Sequence, residues 1–339
     1  MKRIMAAMLA LLLFGLTACA QSGGNLLTQP DTGNTQSPEE EKVMKILNIS
    51  NSHGQDAVWL LPEVLRREQP DLKFKVAELY MSYALTEHVQ AAQSDAKDYI
   101  YYTNSSEGDG VWSYAQNVSI AAALKAEHWD IVMFNESSRH LGREDIMSKG
   151  LVDWFADYIR EHLDYEPVLL YNMTWSNPTD TRLYEDTTRL KAPDTFKPGY
   201  IEHYGFDHVN HYNKLVELTQ KYLVDHEAFD KLIYNATPIQ YAGEVLGVPQ
   251  FDATSQYDLY RDYTHLSDFA RLIVAYQWYA QMFDVKELTK VNVDVIPKNL
   301  RATSREKLFG DLAMTDAHKD VIIKSVNHTL KTPLTISEN

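Results

Sequence analysis

Cysteine is almost absent from the chain, since Cys19 is its single example. An intrachain disulfide is therefore impossible, and a thiol nucleophile or a cysteine-ligated metal is excluded after residue 19. Positive charge is scarce as well, because 47 acidic residues outweigh 32 basic ones and leave a net charge of −15. An acidic surface argues against nucleic acid and against docking on anionic lipid headgroups. The sequence has no internal repeat and no glycine-rich phosphate loop.

The longest hydrophobic run is too short for a membrane span. Met1-Lys2-Arg3 precedes an apolar stretch over residues 4–16, which ends in Leu-Thr-Ala-Cys at Cys19. A basic start, a short apolar segment and small residues before a cut site are typical of a signal peptide, whereas a span needs about 20 apolar residues. The last four residues resemble the bacterial lipobox. That resemblance implies an exported lipoprotein of the cell envelope, anchored to the membrane only by a lipid on Cys19; a plain secretory signal is the alternative.

Composition divides the remaining chain. Residues 20–42 are rich in Ser, Gly, Pro and Gln, which is typical of a flexible tether. Hydrophobic residues make up 45% of the chain, enough to fill a core in the part that follows. We therefore expect a signal peptide over 1–19, the tether, a folded domain over 43–290, and a C-terminal extension over 291–339 that packs on the domain.

Five apolar runs of strand length predict a parallel sheet. They are nearly continuous rather than alternating, as in strands buried on both faces. Stretches with helical spacing lie between them, so we expect a three-layer α/β/α sandwich with a flavodoxin-like sheet of about five strands. The predicted strands are Lys45–Ser50, Phe74–Tyr80, Asp130–Phe134, Pro167–Asn172 and Lys231–Ala236; the predicted helices are Ser119–Trp129, Gly150–Leu163, His211–His226, Asp268–Phe283 and Asp316–Leu330.

Two loops of this sheet carry residues suited to nucleophilic catalysis. In open α/β sheets, sites form in the loops at the carboxyl ends of strands. The first such loop, within the stretch KILNISNSHGQDAVWLL, contains Ser52; the last contains Asp262 and His265. An Asp three residues before a His can accept a hydrogen bond from its Nδ1–H, which leaves Nε2 as a base for a serine hydroxyl. A role as helix cap is the alternative for Ser52.

A Gly-Asp-Ser-like turn after the first strand, followed late in the domain by Asp-x-x-His-Leu, resembles the SGNH (GDSL-type) hydrolases. The likeness is greatest to an uncharacterised branch of exported bacterial members. It implies that Ser52 is the nucleophile, His265 the base and Asp262 its orienting acid. It also implies an oxyanion hole formed by the N–H groups of Ser52 and Ser82 and by the side-chain amide of Asn135. At positions 50 and 82 serine stands where the family has glycine.

The resemblance implies a serine esterase that needs no metal and no organic cofactor. Its expected substrate is an acylated carbohydrate, for instance an acetylated glycan, or another small ester. We expect Asn51, in the nucleophile turn, and Trp175, after the fourth predicted strand, to contact that substrate, although Trp175 could equally cover the core. His53 is expected at the rim. A glycan-binding lipoprotein of the same fold without activity is the main alternative, and a purely structural surface protein is a third.

Three other patterns are weaker. Residues 50–54 nearly match Gly-x-Ser-x-Gly, but an α/β-hydrolase elbow follows a middle strand, and here Asp and His are three residues apart. Glu136 and Asp262 could form the carboxylate pair of a glycosidase, with nothing to fix their separation. His208 and His211 could share a helix face, but no third ligand follows at the spacing of a zinc helix.

Overall fold

The structure is a computed structural model that describes residues 42–137, 140, 142–179, 207–298 and 310–337. The predicted signal peptide, the predicted tether and Cys19 lie outside these residues. Within them, seven strands form one sheet in the order β4-β3-β2-β1-β5-β6-β7. The strands are β1 Met44–Ser50, β2 Phe74–Tyr80, β3 Tyr99–Ser105, β4 Ser113–Val118, β5 Ile131–Asn135, β6 Val168–Met173 and β7 Lys231–Tyr234.

Five of these strands are parallel and correspond to the five predicted runs within two residues at each end. β2, β1, β5, β6 and β7 pair in parallel, which is the flavodoxin-like order that the sequence predicted. The predicted number of strands was wrong, because β3 pairs antiparallel to β2 and β4 antiparallel to β3. β4 is an edge strand exposed over most of its length, so it carries no continuous apolar run. A search for buried strands therefore misses this hairpin.

Helices cover both faces of the sheet and complete the α/β/α sandwich. They are α1 Ser52–Val58, α2 Leu61–Glu68, α3 Leu85–Gln93, α4 Ile120–Leu124, α5 Glu144–Met147, α6 Leu151–Glu161, α7 His208–Tyr222, α8 Ala236–Glu244, α9 Asp268–Met282 and α10 Asp316–Lys331. One hydrophobic cluster joins the first face of the sheet to α1, α2, α8, α9 and α10. A second joins the other face to α3, α4, α6 and α7. Alternate residues along each buried strand supply the two clusters.

The helix predicted over Ser119–Trp129 is shorter than expected. Helix α4 ends at Leu124 because the Trp129 indole turns into the core. Its Nε1–H donates to the carbonyl oxygens of Ala123 and Leu124 at 3.0 and 3.1 Å. Ala123 O also accepts the N–H of Ala126 at 3.2 Å, so the indole adds a donor at the helix end and stabilises the termination.

The C-terminal part of the described chain belongs to the first hydrophobic cluster. Val293, Ile296, Leu312, Ile322 and Val326 are buried there. Two short strands, β8 Val295–Ile296 and β9 Leu312–Ala313, pair antiparallel before α10 begins. No helix in the described part of the chain is long and apolar enough to cross a bilayer.

Candidate functional site

Ser52 is the first residue of α1, at the carboxyl end of β1. The cap of that helix is Asn51, whose Oδ1 accepts the N–H of His53 at 3.0 Å. Capping therefore does not explain Ser52, which is partly exposed. Within the described residues, neither its Oγ nor its backbone N–H makes a hydrogen bond. A hydroxyl at the carboxyl edge of a parallel sheet, with no structural partner there, is a candidate nucleophile.

Asp262 and His265 form the pair that their spacing predicted. The Nδ1 of His265 lies 2.9 Å from Oδ2 and 3.0 Å from Oδ1 of Asp262. Oδ1 also accepts the backbone N–H groups of Thr264 and His265 at 3.0 and 2.8 Å. These hydrogen bonds fix the conformation of the turn around the Asp262 carboxylate. Because a carboxylate only accepts, Nδ1 carries the imidazole hydrogen and Nε2 keeps its lone pair.

The carboxyl group of Asp262 is held in its ionised form. Burial alone would raise its pKa, but the neighbouring charge and hydrogen bonds of His265, together with the Arg261 guanidinium, lower the pKa below its usual range. Asp262 is 9% exposed, so these interactions act with limited screening by water. An ionised partner stabilises the imidazolium that a general base becomes.

His53, expected at the rim, is instead 1% exposed and lies between Trp175 and His265. Its ring stacks on Trp175 at 4.9 Å between centroids and lies 5.7 Å from the ring of His265. Burial, followed by the charge of His265, lowers the pKa of His53 to about 3, so it is neutral at physiological pH. A histidine with so low a pKa is a weak base, so His265 rather than His53 is the candidate base of this site.

A second network of hydrogen-bonded polar side chains lies near the carboxyl ends of β1 and β2. Glu78 is fully buried and accepts from Asn48 Nδ2 at 2.5 Å. Ser50 Oγ lies 2.6 Å from Glu78 Oε1 and 2.9 Å from Asn51 O, so its one proton faces two acceptors. A protonated Glu78 resolves this conflict by donating to Ser50. Burial raises the pKa of Glu78 to about 8, against the lowering effect of the hydrogen bonds from Ser50 and Asn48.

The predicted oxyanion role of Asn135 does not fit its geometry. Asn135 is fully buried, and its Nδ2 donates to Glu136 O at 2.7 Å and to Asn51 Oδ1 at 3.0 Å. An amide nitrogen has two hydrogens, and both are in use. Ser82 is exposed just after β2, beside the end of β1, where Met81 N–H donates to Ser50 O at 3.1 Å. Its backbone is thus at the edge where the resemblance places it.

Neither predicted substrate contact is open to a ligand. Asn51 is 2% exposed, and its Nδ2 donates to Tyr83 O at 2.9 Å while its Oδ1 accepts from two donors. Trp175 is fully buried, stacks on His53 and donates from Nε1 to Thr264 O at 2.9 Å. A ring without exposed area cannot stack on a sugar. Of its two possible roles, Trp175 fills that of a packing residue.

Two of the three weaker patterns, the carboxylate pair and the histidine pair, lose support from their contacts. Glu136 Oε1 accepts the backbone N–H groups of Leu85 and Ser137 at 2.9 and 2.7 Å, so this carboxyl group fixes loops. His208 Nε2 lies 2.9 Å from Tyr260 Oη, and His211 Nδ1 accepts the N–H of Asn177 at 2.9 Å. In the described ranges, no group of three or more His, Cys, Asp or Glu side chains could hold a metal ion.

Sequence reasoning missed one buried group, Asp56, which contacts the loop of Asp262 and His265. Its carboxylate is 1% exposed and receives hydrogen bonds from Arg261, Leu266 and Arg271. Its position four residues after Ser52 is visible in the sequence and places both on one face of a helix. Its partners are more than 200 residues away, so only the fold shows the contact.

Solved structures are similar to this chain to different degrees. One is the crystal structure of a DUF4886 family protein from Bacteroides uniformis, with 22% identity, a TM-score of 0.65, and coverage of 88% of this chain and 98% of that one. Another is described as "a putative SGNH hydrolase" from Slackia heliotrinireducens, with 17% identity, a TM-score of 0.41, and coverage of 71% and 100%. No curated protein matches the chain.

A family model describes the same region by sequence. The family is Domain of unknown function (DUF4886), and its model matches residues 45–306, from β1 past the Asp262–His265 loop. The match covers most of the chain, including every residue of the candidate site. The chain therefore belongs to the DUF4886 family.

Proposed function

We propose that this protein is a serine hydrolase of SGNH type that cleaves carboxylic esters. The observation that carries the proposal is the hydrogen-bonded pair of Asp262 and His265, with both carboxylate oxygens within 3.0 Å of Nδ1. This pair lies next to the turn of Ser52, because the rings of His265 and His53 are 5.7 Å apart. A serine beside a base that is itself oriented by an acid is the minimal arrangement for acyl transfer.

The proposed reaction runs through an acyl-enzyme. Ser52 Oγ attacks the ester carbonyl while His265 Nε2 takes the hydroxyl proton. His265 then gives that proton to the leaving alcohol, and Asp262 stabilises the imidazolium between the two transfers. Water, activated by the same nitrogen, hydrolyses the acyl group from Ser52. In this structure Ser52 Oγ and His265 share no hydrogen bond, so a side-chain rotation that brings them together is part of the proposal.

The oxyanion that forms during the attack needs preorganised donors. The proposed donors are the backbone N–H groups of Ser52 and Ser82, since the amide hydrogens of Asn135 are already used. Support for Ser52 comes from its backbone N–H, which makes no hydrogen bond within the described residues. The family resemblance supports Ser82.

A covalent probe tests the proposal without knowledge of the substrate. We expect a fluorophosphonate to label the purified protein on Ser52, and Ser52→Ala and His265→Ala to abolish labelling. Hydrolysis of p-nitrophenyl acetate should fall in parallel by at least about 10³-fold. Ser148→Ala and His128→Ala are matched controls, because both residues are exposed and His128 precedes β5, at the opposite edge of the sheet. Equal labelling of the parent and the Ser52→Ala variant would refute the triad.

The finer parts of the proposal concern substrate and place. We propose an acetyl ester of a carbohydrate as substrate, on the strength of the family resemblance alone, and a screen of acetylated glycans for released acetate tests it. We also propose export and lipid attachment at Cys19, supported by the sequence before that cysteine. Cys19→Ser should stop incorporation of labelled fatty acid in cells. Incorporation at the parental level would disprove the anchor.

Glycan binding without catalysis is the second candidate. Two observations favour it: Ser52 shares no hydrogen bond with His265, and Asn135 offers no open amide. The probe experiment separates the two functions, since a protein that only binds would leave Ser52 unlabelled while retaining acylated glycans on a column.

A further inference from the structure

Helix α1 carries a second buried side chain that points at the catalytic loop. Asp56 lies one helical turn after Ser52, and residues four apart share a helix face. Its Oδ1 accepts from Arg271 Nε and Nη2 at 2.9 and 2.6 Å. Arg261 Nη1 lies 2.9 Å from Oδ1 and 3.1 Å from Oδ2, and Leu266 N–H donates to Oδ2 at 3.0 Å. The Asp56 carboxylate thus accepts hydrogen bonds from helix α9 and from both ends of the Asp262–His265 loop.

The contacts to the loop flank the catalytic pair on each side. Arg261 immediately precedes Asp262, and Leu266 immediately follows His265. Arg261 also donates to the carbonyl oxygen of Leu266, which closes the loop on itself. Helix α1 and the two ends of the loop are therefore joined at Asp56. Asp56 is thus one link between α1 and the loop, beside the contact of His53 Nε2 with Thr264 Oγ1 at 3.0 Å.

The charges around Asp56 are balanced. Burial would raise its pKa, but the guanidinium groups of Arg261 and Arg271 outweigh that effect and lower it. Arg271 also donates to Asp268 at 2.9 Å, so its positive charge is shared between two buried carboxylates. Only Asp56 of the two has hydrogen bonds to Arg261 and Leu266 at the loop. Buried ion pairs contribute little net stability compared with apolar packing, whereas they fix geometry well.

We propose that Asp56 is a positioning residue for the hydrolase reaction: by holding Arg261 and Leu266 it sets the distance between Ser52 and His265. This inference rests on the proposed function. A displacement of about 1 Å between reacting groups can cost roughly 100-fold in rate. The expected signature is therefore a lower kcat with an almost unchanged KM, because Asp56 is buried and does not contact substrate.

Asp56→Asn is the direct test, and Asp268→Asn is its matched control. Both variants remove one buried carboxylate charge beside Arg271, but only Asp56→Asn changes the group that accepts from Arg261 and Leu266. We expect Asp56→Asn to lower kcat for p-nitrophenyl acetate about 10- to 100-fold, with KM changed less than about threefold. The rate constant for fluorophosphonate labelling of Ser52 should fall by the same factor, well below the unfolding temperature. Asp268→Asn should keep both rates within about threefold of the parent.

Arg261→Lys provides a second reading if Asp56→Asn fails to fold. Lysine keeps the charge but lacks the planar guanidinium whose Nη1 donates to both Asp56 and Leu266 O, so we expect about a tenfold loss in labelling rate. Labelling at the parental rate in the folded variants would overturn the positioning role and leave the proposed function intact. An equal loss in Asp268→Asn and Asp56→Asn would also overturn it, as would a loss only of thermal stability. A parent that the probe does not label would instead overturn the proposed function.

Discussion

The candidate site has two halves, and buried polar groups are stabilised in a different way in each. The loop half comprises Asp262, His265 and their neighbours Arg261 and Asp56, and its two ionised carboxylates face Arg261 and the imidazole of His265. The strand-end half is built from amides, a hydroxyl and a carboxyl group whose pKa burial raises to about 8. Its residues are Asn48, Ser50, Asn51, Glu78 and Asn135. Charge in a protein interior persists only where an opposite charge faces it. The first half therefore keeps a negative charge beside the His265 imidazole, while the second mainly holds the backbone in place.

Removal of the loop-half charge should have the largest effect. Asp262→Asn keeps an acceptor for the two backbone N–H groups but loses the ionised partner of His265. The imidazolium then lacks its stabilising charge, and the imidazole can take the wrong tautomer. We expect kcat for an ester substrate to fall roughly 10³- to 10⁴-fold. Steady-state kinetics, with circular dichroism to confirm folding, gives the measurement.

Asn135→Ala is the counterpart in the strand-end half. Because both amide hydrogens of Asn135 are engaged within the protein, we expect less than about a tenfold loss of kcat, together with lower stability. A loss of kcat as large as that of Asp262→Asn would contradict this division. It would show that the Asn135 amide turns toward the oxyanion during the reaction, as the sequence predicted.

The two halves also differ in how far the sequence predicts them. Asp262 and His265 are three residues apart, so local backbone geometry is enough to bring them together, and the Asp-x-x-His motif encodes it. The role of Asn135 depends on whether its amide hydrogens point toward a substrate or bond within the protein. Asn135 lies on a strand more than 80 residues after Ser50, so the direction of its amide is set by the register of β1 and β5 and by the competing acceptor Asn51. The parallel strands were predictable from continuous apolar runs, whereas the exposed hairpin of β3 and β4 was not.

Glu78 should give the strand-end half a dependence on pH. Its pKa is raised from 4.5 to about 8, so its contribution to folding is complete below about pH 4.5 and is lost as the pH rises through 8. At about 1.4 kcal/mol per pH unit, the free energy of unfolding of the parent should fall relative to Glu78→Gln by roughly 4 kcal/mol between pH 5 and 8. Urea unfolding at several pH values measures this difference.

The exposed Glu107 supplies the control for this experiment, because Glu107→Gln removes one acidic charge away from the buried network. Parallel pH curves for the parent and Glu78→Gln would show that Glu78 is ionised in the folded protein. In that case the proton of Ser50 would go to Glu78 rather than to Asn51 O.

Gly54 is where α1 approaches the strand-end half most closely. A Cβ at this position would collide with Cβ and Oγ of Ser50 and lie 2.5 Å from Asn135 Oδ1. Gly54→Ala should therefore push α1 off the strand ends and lower the free energy of unfolding by about 1–3 kcal/mol. Gly108→Ala is the control, since its Cβ would meet its nearest atom, Ser105 O, at 3.5 Å, which is an ordinary van der Waals contact. Equal stability of both variants in urea would show that α1 adjusts without cost.

Trp175 offers the smallest and most selective perturbation of the loop half. Trp175→Phe retains a ring against His53 but removes the hydrogen bond to Thr264 O, one residue before His265. Trp278→Phe is the matched control, because Trp278 is equally buried and its Nε1 makes no hydrogen bond. The loss of volume is the same, so the difference in unfolding free energy between the two variants reports a paired indole N–H against an unpaired one. We expect that difference to be about 1 kcal/mol, with the KM of an ester substrate unchanged in both. A KM that rises only in Trp175→Phe, with no difference in stability, would instead mean that substrate reaches the indole and that the buried ring opens during turnover.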